Sequence, residues 1–560
     1  MSAGHNAAPV TPPNTAPSSG VGRLFALHKL GPWRLVALLI TLLMLAPLLV
    51  IFSSLFNPEP EIWNHLVENV LADIAINTLW LVLGVAAGTL LLGVSLAWFT
   101  AVCHFPGRRF FAWALLLPLA MPAYVTAFVA VGLLDFTGPL QSWWREALGP
   151  TQFPAIRSRG GVIAVMILAF YPYVYLIARN AFHTQGQRAL EAAQSLGLNR
   201  WQGFWRVSLP MARPWIVGGV MLVVMECLAD FGTVAVFNYD TFTSGIYKAW
   251  YSLFSLPAAA QLASLLVIVV FIILLIEQQA RAKMSYTQIG RGAAQQQPIK
   301  LRGWRGWAVT VFATLILLIA FIVPVTQLLL WTAASALTDM DSRYFGFLWH
   351  SLLLATLASL AVGITALLLS YAGRRHRDLP TRALIRISTL GYALPGPVLA
   401  VGIFIPIAWL DNLIIDTAQQ WFQIEIGQIL QGTLITMLLA LIIRFQAVGF
   451  SAVDGHMQRI TLSIDDAARS LGCSGLTLLR RIHLPILSGG ILTGMMLVFV
   501  DVMKEMPITL MTRPFGWDTL AVRIFELTSE GEWQRAALPA IAIIIAGLLP
   551  TLLLTRHAER

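Results

Sequence analysis

Charge is scarce in this sequence. Asp, Glu, Lys and Arg make up 11% of 560 residues, 57% are hydrophobic, and the mean hydropathy is +0.73. Soluble domains carry about 25% charged residues. The roughly three or four soluble domains that this length would otherwise imply are therefore excluded, because too little polar surface exists to wrap them. Cysteine is nearly absent too. Cys103, Cys227 and Cys473 are scattered and odd in number, which excludes a disulfide framework and a Cys-based zinc site. No Gly-x-x-x-x-Gly-Lys-[Ser/Thr] phosphate loop, His-Glu-x-x-His, paired Cys-x-x-Cys or Gly-x-Ser-x-Gly is present. The ten histidines are dispersed; His104, His183 and His483 lie near run boundaries among basic residues. No nucleophile, base or metal constellation emerges, so the sequence argues against an enzyme and assigns neither a cofactor nor a metal site. ATP, if it drives this protein, is hydrolysed by another polypeptide.

Long apolar runs are abundant instead. A hydrocarbon core about 30 Å thick needs roughly 20 helical residues. Uncharged runs of that order are Leu35–Leu55, Ile74–Val102, Phe110–Leu134, Gly161–Ala178, Ala258–Ile276, Trp307–Trp331, Ser351–Gly373, Ile387–Leu410, Ile426–Ile443 and Ala536–Thr555. Two more, Pro214–Phe237 and Ile486–Leu510, carry ionisable residues near their far ends. The runs are continuously apolar rather than alternating, so they predict helices and not a barrel. The expected fold class is all-α: a polytopic membrane protein of about twelve transmembrane helices.

The net charge of +10 would raise nucleic-acid binding in a soluble protein. Here the cations sort by side. With the N-terminus cytoplasmic, 28 Lys and Arg residues fall on the cytoplasmic side and 8 on the other, with Lys504 inside a span. That bias predicts both termini in the cytoplasm, a lipid bilayer as partner and no nucleic acid. Arg23, Lys29 and Arg34 precede a run too long for a signal peptide, which reads as an uncleaved span. Residues 1–32, rich in Ala, Pro, Ser and Gly, read as a disordered cytoplasmic tail.

The sequence also repeats itself. Residues 191–210, EAAQSLGLNRWQGFWRVSLP, match 466–485, DAARSLGCSGLTLLRRIHLP, at a shift of 275. Identities continue into the next span at Gly219/Gly494, Met221/Met496, Leu222/Leu497 and Val223/Val498, with Glu226 opposite Asp501 and Asp230 opposite Glu505. Six spans per half is an even number, so both halves insert in the same orientation and an axis along the membrane normal relates them. The repeated loop lies on the cytoplasmic side. Glu191–Leu198 predicts a short helix with its carboxylate at the favourable N-terminal end. Gly197 fits the positive-φ position beyond a helix end, and Pro210 breaks the pattern before the next span.

At these residues the sequence resembles the permeases of binding-protein-dependent ABC importers, whose EAA loop runs acidic-Ala-Ala, then Gly, then Leu-Pro. The likeness covers both halves, so the chain looks like two permease subunits fused. It implies a type I ABC importer permease fold in the bacterial inner membrane, with a first transmembrane domain at 73–283 and a second at 346–560. Residues 33–72 would hold the first helix and a periplasmic segment; 284–345 would hold a linker and the first helix of the second half. It implies a loop helix that docks on a separate cytoplasmic ATPase, two copies per chain, and a periplasmic binding protein that supplies affinity. By position, Glu191, Ala192, Gly197, Leu209 and Pro210 mark the first docking loop, and Asp466, Ala467, Gly472, Leu484 and Pro485 the second. The second departs from the pattern with Asp465-Asp466-Ala467-Ala468 and Cys473, which puts equal contact at the two loops in question.

Ionisable residues inside a membrane are expensive and point to function. Glu226, Asp230, Asp501, Lys504 and Glu505 are the candidates, at matching places in both halves. Glu226/Asp230 and Asp501/Glu505 are four apart, which predicts one carboxylate above the other on a helix face. They are expected either to line a translocation route, with Asp230 and Glu505 near its periplasmic mouth, or to be neutralised by Lys504. For cargo, Asp230–Trp250 (DFGTVAVFNYDTFTSGIYKAW), Lys504–Pro507 and Arg513–Arg523 (RPFGWDTLAVR) resemble ferric-iron permeases, a group close to thiamine and aminoethylphosphonate permeases. Ferric ion is hard and prefers oxygen ligands. Tyr239, Asp240 and Glu526 offer oxygen, but no spacing amounts to a site. A twelve-span secondary transporter is the rival reading; it would need an ion-coupling site near the bilayer midplane and no docking loops.

Overall fold

The computed structural model describes residues 31–56, 60–149, 154–186, 197–282 and 299–558. Its helices number, for the first half, α1 (Pro32–Ser53), α2 (Leu71–Val102), α3 (Ala123–Leu134), α4 (Arg159–Ala181), α5 (Leu209–Ala229), the short α6 (Gly232–Phe237) and α7 (Phe242–Tyr251), and α8 (Leu256–Ala282). The second half has α9 (Trp304–Leu317), which continues through a π-helical turn into α10 (Val323–Asp339), then α11 (Ser342–Arg375), α12 (Gly396–Phe422), α13 (Leu434–Met457), α14 (Leu462–Ser470), α15 (Leu484–Lys504), the short α16 (Pro507–Thr512) and α17 (Leu520–Ser529), and α18 (Trp533–Ala558). Among the described residues, eleven helical runs are long and apolar enough to cross a membrane, and α18 contains a further apolar stretch at Trp533–Leu548. Among the described residues the only strand pairing is a parallel bridge of Cys103–His104 with Ile299–Lys300, which ties the entry to the second half onto the first.

Three expected runs take a different form, and proline accounts for two of them. Phe110–Leu134 is not one helix: Arg108–Ala114 gives way to a 3-10 turn at Leu117–Ala120, and α3 starts only after Pro122. Ile387–Leu410 breaks in the same way, with a 3-10 turn at Leu390–Ala393 and α12 starting after Pro395. A proline lacks an N–H and disfavours helical backbone in the residue before it, so each break falls where the sequence withholds a donor. The third change is positional. The run expected at Ile426–Ile443 is the helix Leu434–Met457, so Arg444 sits inside the bundle and not in a cytoplasmic loop.

Within each half, three helices pack mutually: α2, α4 and α5, and correspondingly α11, α13 and α15. The paired glycines of the repeat explain how closely they approach. A Cβ on Gly219 would lie 3.3 Å from the Val174 backbone, and one on Gly494 would lie 3.2 Å from Ala452 Cβ and the Gly449 carbonyl. Helices in lipid associate through such close contacts, because apolar burial drives little once lipid is the solvent. The first helix crosses over. α1 packs against α11 and α12 of the second half, with Trp33 edge-on to Tyr371 at 4.6 Å and Thr41 Oγ1 donating to Leu384 O at 3.1 Å. An ion pair of Arg34 with Asp378 at 3.1 Å closes its N-terminal end.

Candidate translocation chamber and docking loops

The repeated acids sit at a pair of matched breaks. α5 stops at Ala229 and α15 at Lys504, and the next residues, Asp230 and Glu505, are extended (φ −68°, ψ 128° and φ −72°, ψ 116°). The expected stack of Glu226 over Asp230 and Asp501 over Glu505 on one helix face therefore does not form. Each terminal acid instead caps the short helix that follows. Thr233 donates its N–H to Asp230 Oδ1 and its hydroxyl to Oδ2, both at 2.9 Å. The Ile508 N–H lies 3.3 Å from Glu505 Oε2. A helix start leaves N–H donors without partners and carries partial positive charge, and a carboxylate satisfies both.

These breaks, one from each half, line a shared, partly open chamber of about 170 Å³. Glu226, Asp230, Asp501, Lys504 and Glu505 all line it, so all five residues singled out in the sequence come together from the two halves. It lies level with the middle of α4 (Tyr173) and of α13 (Arg444). Lys504 does not neutralise an acid at contact distance; its Nζ donates across the axis to Leu119 O at 3.0 Å. Tyr392 of the second half donates to Glu226 Oε1 of the first at 2.9 Å.

Arg444, Tyr392, Tyr173 and Tyr124 also line the chamber, and the sequence reading missed them. Arg444 donates to Leu394 O at 2.7 Å and pairs with Glu505 Oε1 at 3.7 Å. One signal was available. The apolar pattern does not end at Ile443 but resumes at Phe445, which marks Arg444 as a cation within a span. The register of 275 also shows the two halves lining the chamber differently: Ala169 and Ala229 in the first stand where Arg444 and Lys504 stand in the second. By residue type, four carboxyl groups face two basic groups there.

The repeated loops, the candidates for docking, lie at the opposite end of α5 and α15. Glu191 and Ala192 fall outside the described residues. Gly197 and Gly472 both adopt positive φ, +84° and +81°. In the second loop the acidic-Ala-Ala segment is the helix α14, capped by Gly472 N–H to Arg469 O and Cys473 N–H to Ala468 O, each 2.9 Å. That double bond with a left-handed glycine is the Schellman ending, which a residue with a Cβ enters only with strain. Asp466 and Ala467 are exposed, and Leu471 is 84% exposed beside them. Leu209-Pro210 and Leu484-Pro485 do not interrupt a helix, contrary to expectation. Each pair continues a π-helical turn, in which Leu209 N–H bonds to Phe204 O and Leu484 N–H to Leu479 O, five residues back. The wider turn lets the helix run on past a proline that has no donor of its own.

α14 is held to the bundle by Asp465, the residue before the aligned acid. Arg374 Nε meets Asp465 Oδ2 at 2.9 Å, and His483 Nε2 meets Oδ1 at 2.8 Å. Burial opposes the charged carboxylate, but hydrogen bonds from Arg374 and His483 outweigh it and hold the Asp465 carboxyl below its usual range.

Two helical halves, matched breaks at a shared chamber and a repeated loop suit one kind of molecule. The sequence pattern of the family described as "binding-protein-dependent transport system inner membrane component" matches this chain twice, at residues 89–283 and 366–560. The chain belongs to that family. It is thus a multi-pass inner-membrane permease of binding-protein-dependent transport, and each of its halves is a family unit. The permease is 25% identical over 492 residues to an Fe(3+)-transport system permease protein of Haemophilus influenzae, covering 87% of this chain and 90% of that one. It is 24% identical over 547 residues to a ferric transport system permease protein of Actinobacillus pleuropneumoniae, covering 91% and 75%. A molybdenum transport system permease protein of Escherichia coli is 30% identical over 209 residues, 36% of this chain and 88% of that one. The fused permease thus has relatives matching both halves together and relatives matching one.

Proposed function

We propose that this chain is the transmembrane subunit of an ATP-binding-cassette importer that carries ferric iron from a periplasmic binding protein into the cytoplasm. The observation that carries the cargo is the chamber charge: Glu226, Asp230, Asp501 and Glu505 against Lys504 and Arg444. A net negative chamber of low dielectric attracts a cation and repels an oxyanion. The relatives named for ferric iron match most of the chain, whereas the molybdenum permease matches about a third of it. Carboxylates and the phenols of Tyr173, Tyr392 and Tyr124 are the hard oxygen donors that suit ferric ion. A chamber closed across the axis by Tyr392–Glu226 and Lys504–Leu119 suits alternating access, since both links join one half to the other.

The engine is a separate ATPase, one copy at each loop, docking on Glu191, Ala192, Gly197, Leu209 and Pro210 and on Asp466, Ala467, Gly472, Leu484 and Pro485. Both termini face the cytoplasm with these loops. The exposed Leu471 and Ala467 beside charged Asp466 and Arg469 support the second loop as a contact surface. The test is reconstitution in vesicles with the ATPase and a ferric-loaded binding protein. The expected result is ATP-dependent accumulation of radiolabelled iron that sulfate and molybdate do not compete. Accumulation without any ATPase, or uptake of the oxyanion in place of iron, overturns the reading.

A further inference from the structure

The second docking helix is tied to the bundle by a network of charged side chains. Arg374, in the last turn of α11, distributes its guanidinium donors over three elements. Nε reaches Asp465 on α14, Nη1 reaches the Met457 and Ile460 carbonyls at 3.1 and 2.9 Å at the end of α13, and Nη2 reaches Thr461 O at 3.1 Å. Asp465 binds His483 as well, and His483 closes the π-helical turn from which α15 starts. All three side chains are nearly dry, at 6%, 5% and 1% exposure. Tyr371 lies edge-on to His483 at 5.4 Å and donates to Gly475 O at 2.9 Å, and a small apolar cluster of Met457, Ile460, Leu479 and Leu487 backs it.

At the shift of 275, Leu190 stands opposite Asp465 and Ser208 opposite His483, and the end of α2 nearest Arg374's place reads Ala97-Trp98-Phe99. None of these carries charge. The described part of the first half has an aromatic contact at the corresponding place, Trp98 against Phe182 and Phe204 at 5.3 and 4.5 Å.

We propose that Arg374, Asp465 and His483 form a latch that transmits displacement of the docking helix α14 to α15 and so to Asp501 at its far end. A guanidinium fixed by four acceptors on three elements has no room to slide, so α11, α13 and α14 shift together. His483 sits on the same continuous helix as Asp501, so a push on Asp465 is delivered along the axis of α15. Arg374, Asp465 and His483 are positioning residues: they touch neither cargo nor nucleotide. The inference rests on the reading that α14 docks an ATPase.

The test uses the whole complex, purified with the ATPase subunit that accompanies the wild-type chain and reconstituted with the iron-loaded binding protein. Arg374→Gln and the near-isosteric Asp465→Asn are compared with wild type for ATPase co-purification, ATP hydrolysis and uptake. The expected result is normal co-purification, hydrolysis within about twofold, and uptake reduced by about tenfold or more, an uncoupling that simple misfolding does not give. Arg374→Lys, which keeps the charge but loses the fork, should recover only part of the coupling. Unchanged uptake in both Arg374→Gln and Asp465→Asn overturns the latch. So does loss of the ATPase together with uptake, which would make the network a scaffold for docking only. Failure of the wild-type chain to bind any ATPase would instead overturn the docking reading itself.

Discussion

Tyr392 and Glu226 lie on opposite halves of the chain and meet at 2.9 Å, phenol donating to carboxylate. A hydrogen bond to a charged group contributes about 1.5–3 kcal/mol. Because this one spans the axis, it stabilises the closed chamber and not either half alone. Tyr392→Phe should shift the population toward the open form by about tenfold. The measurement is basal ATP hydrolysis of the complex without binding protein, which should rise. An unchanged basal rate would show that the bond does not hold the halves closed.

The chamber acids divide into two kinds. Glu226 and Asp501 face the cavity from within a helix, whereas Asp230 and Glu505 are engaged as caps. Glu226→Gln with Asp501→Asn should lower uptake by about tenfold or more with normal membrane insertion, because the interior loses its negative excess. Asp230→Asn keeps a good cap and should retain most uptake, while Asp230→Ala should lose about 1 kcal/mol of stability as well. Full transport by the Glu226/Asp501 double variant would remove them from the pathway.

Gly472 and Gly197 have positive φ and open space where a Cβ would sit. Replacing either by Val should strain the loop by about 1–3 kcal/mol and loosen the ATPase. Asn tolerates left-handed backbone. Gly472→Asn should therefore keep the loop shape while adding bulk, and a pull-down of the ATPase would separate strain from crowding at the interface. Full transport and ATPase binding by the Val variants would refute the docking role.

Cys473 is the one partly exposed cysteine, at the tip of the second docking loop; Cys103 and Cys227 are buried. Maleimide labelling of the native chain should go to Cys473 and should slow several-fold when the ATPase is bound. Equal labelling rates with and without ATPase would place the docking surface elsewhere.

Asp411, fully buried on α12, accepts N–H bonds from Ile429, Leu430 and Gln431 and so shapes the segment leading to α13. Asp411→Ala leaves three donors without a partner, each costing about 1–3 kcal/mol if it stays buried. Thermal unfolding in detergent should fall clearly for Ala and less for Asn, which keeps one acceptor oxygen. Equal midpoints for wild type and Asp411→Ala would mean that the segment rehydrates freely.

The architecture was legible because lipid imposes a simple rule on sequence: every crossing must be a long apolar helix. The duplication was legible because Gly219/Gly494 and Gly197/Gly472 each answer a local need, a close helix contact or a left-handed turn, that recurs in each copy. The five chamber residues were found one by one as charges in apolar runs. Their geometry was not, because periodicity assumed that the helix continued past Ala229 and Lys504, and the cap that stops it is a decision of the following turn. Asp465 was overlooked beside Asp466 for a related reason: on a nine-residue helix, adjacent acids point to different faces, and only the neighbours say which one is buried.

Sequence alone determined that this chain lives in a membrane, that it is built twice, and that Glu226 and Asp230 recur as Asp501 and Glu505. Those properties follow from composition and local spacing. The tertiary structure decided that Arg444 joins the acids, that Tyr392 closes on Glu226, that α1 rests on the opposite half, and that Arg374 and His483 grip Asp465. Each of these pairs residues far apart in the chain, and which distant groups meet is set by how whole helices pack, a relation that no local pattern encodes.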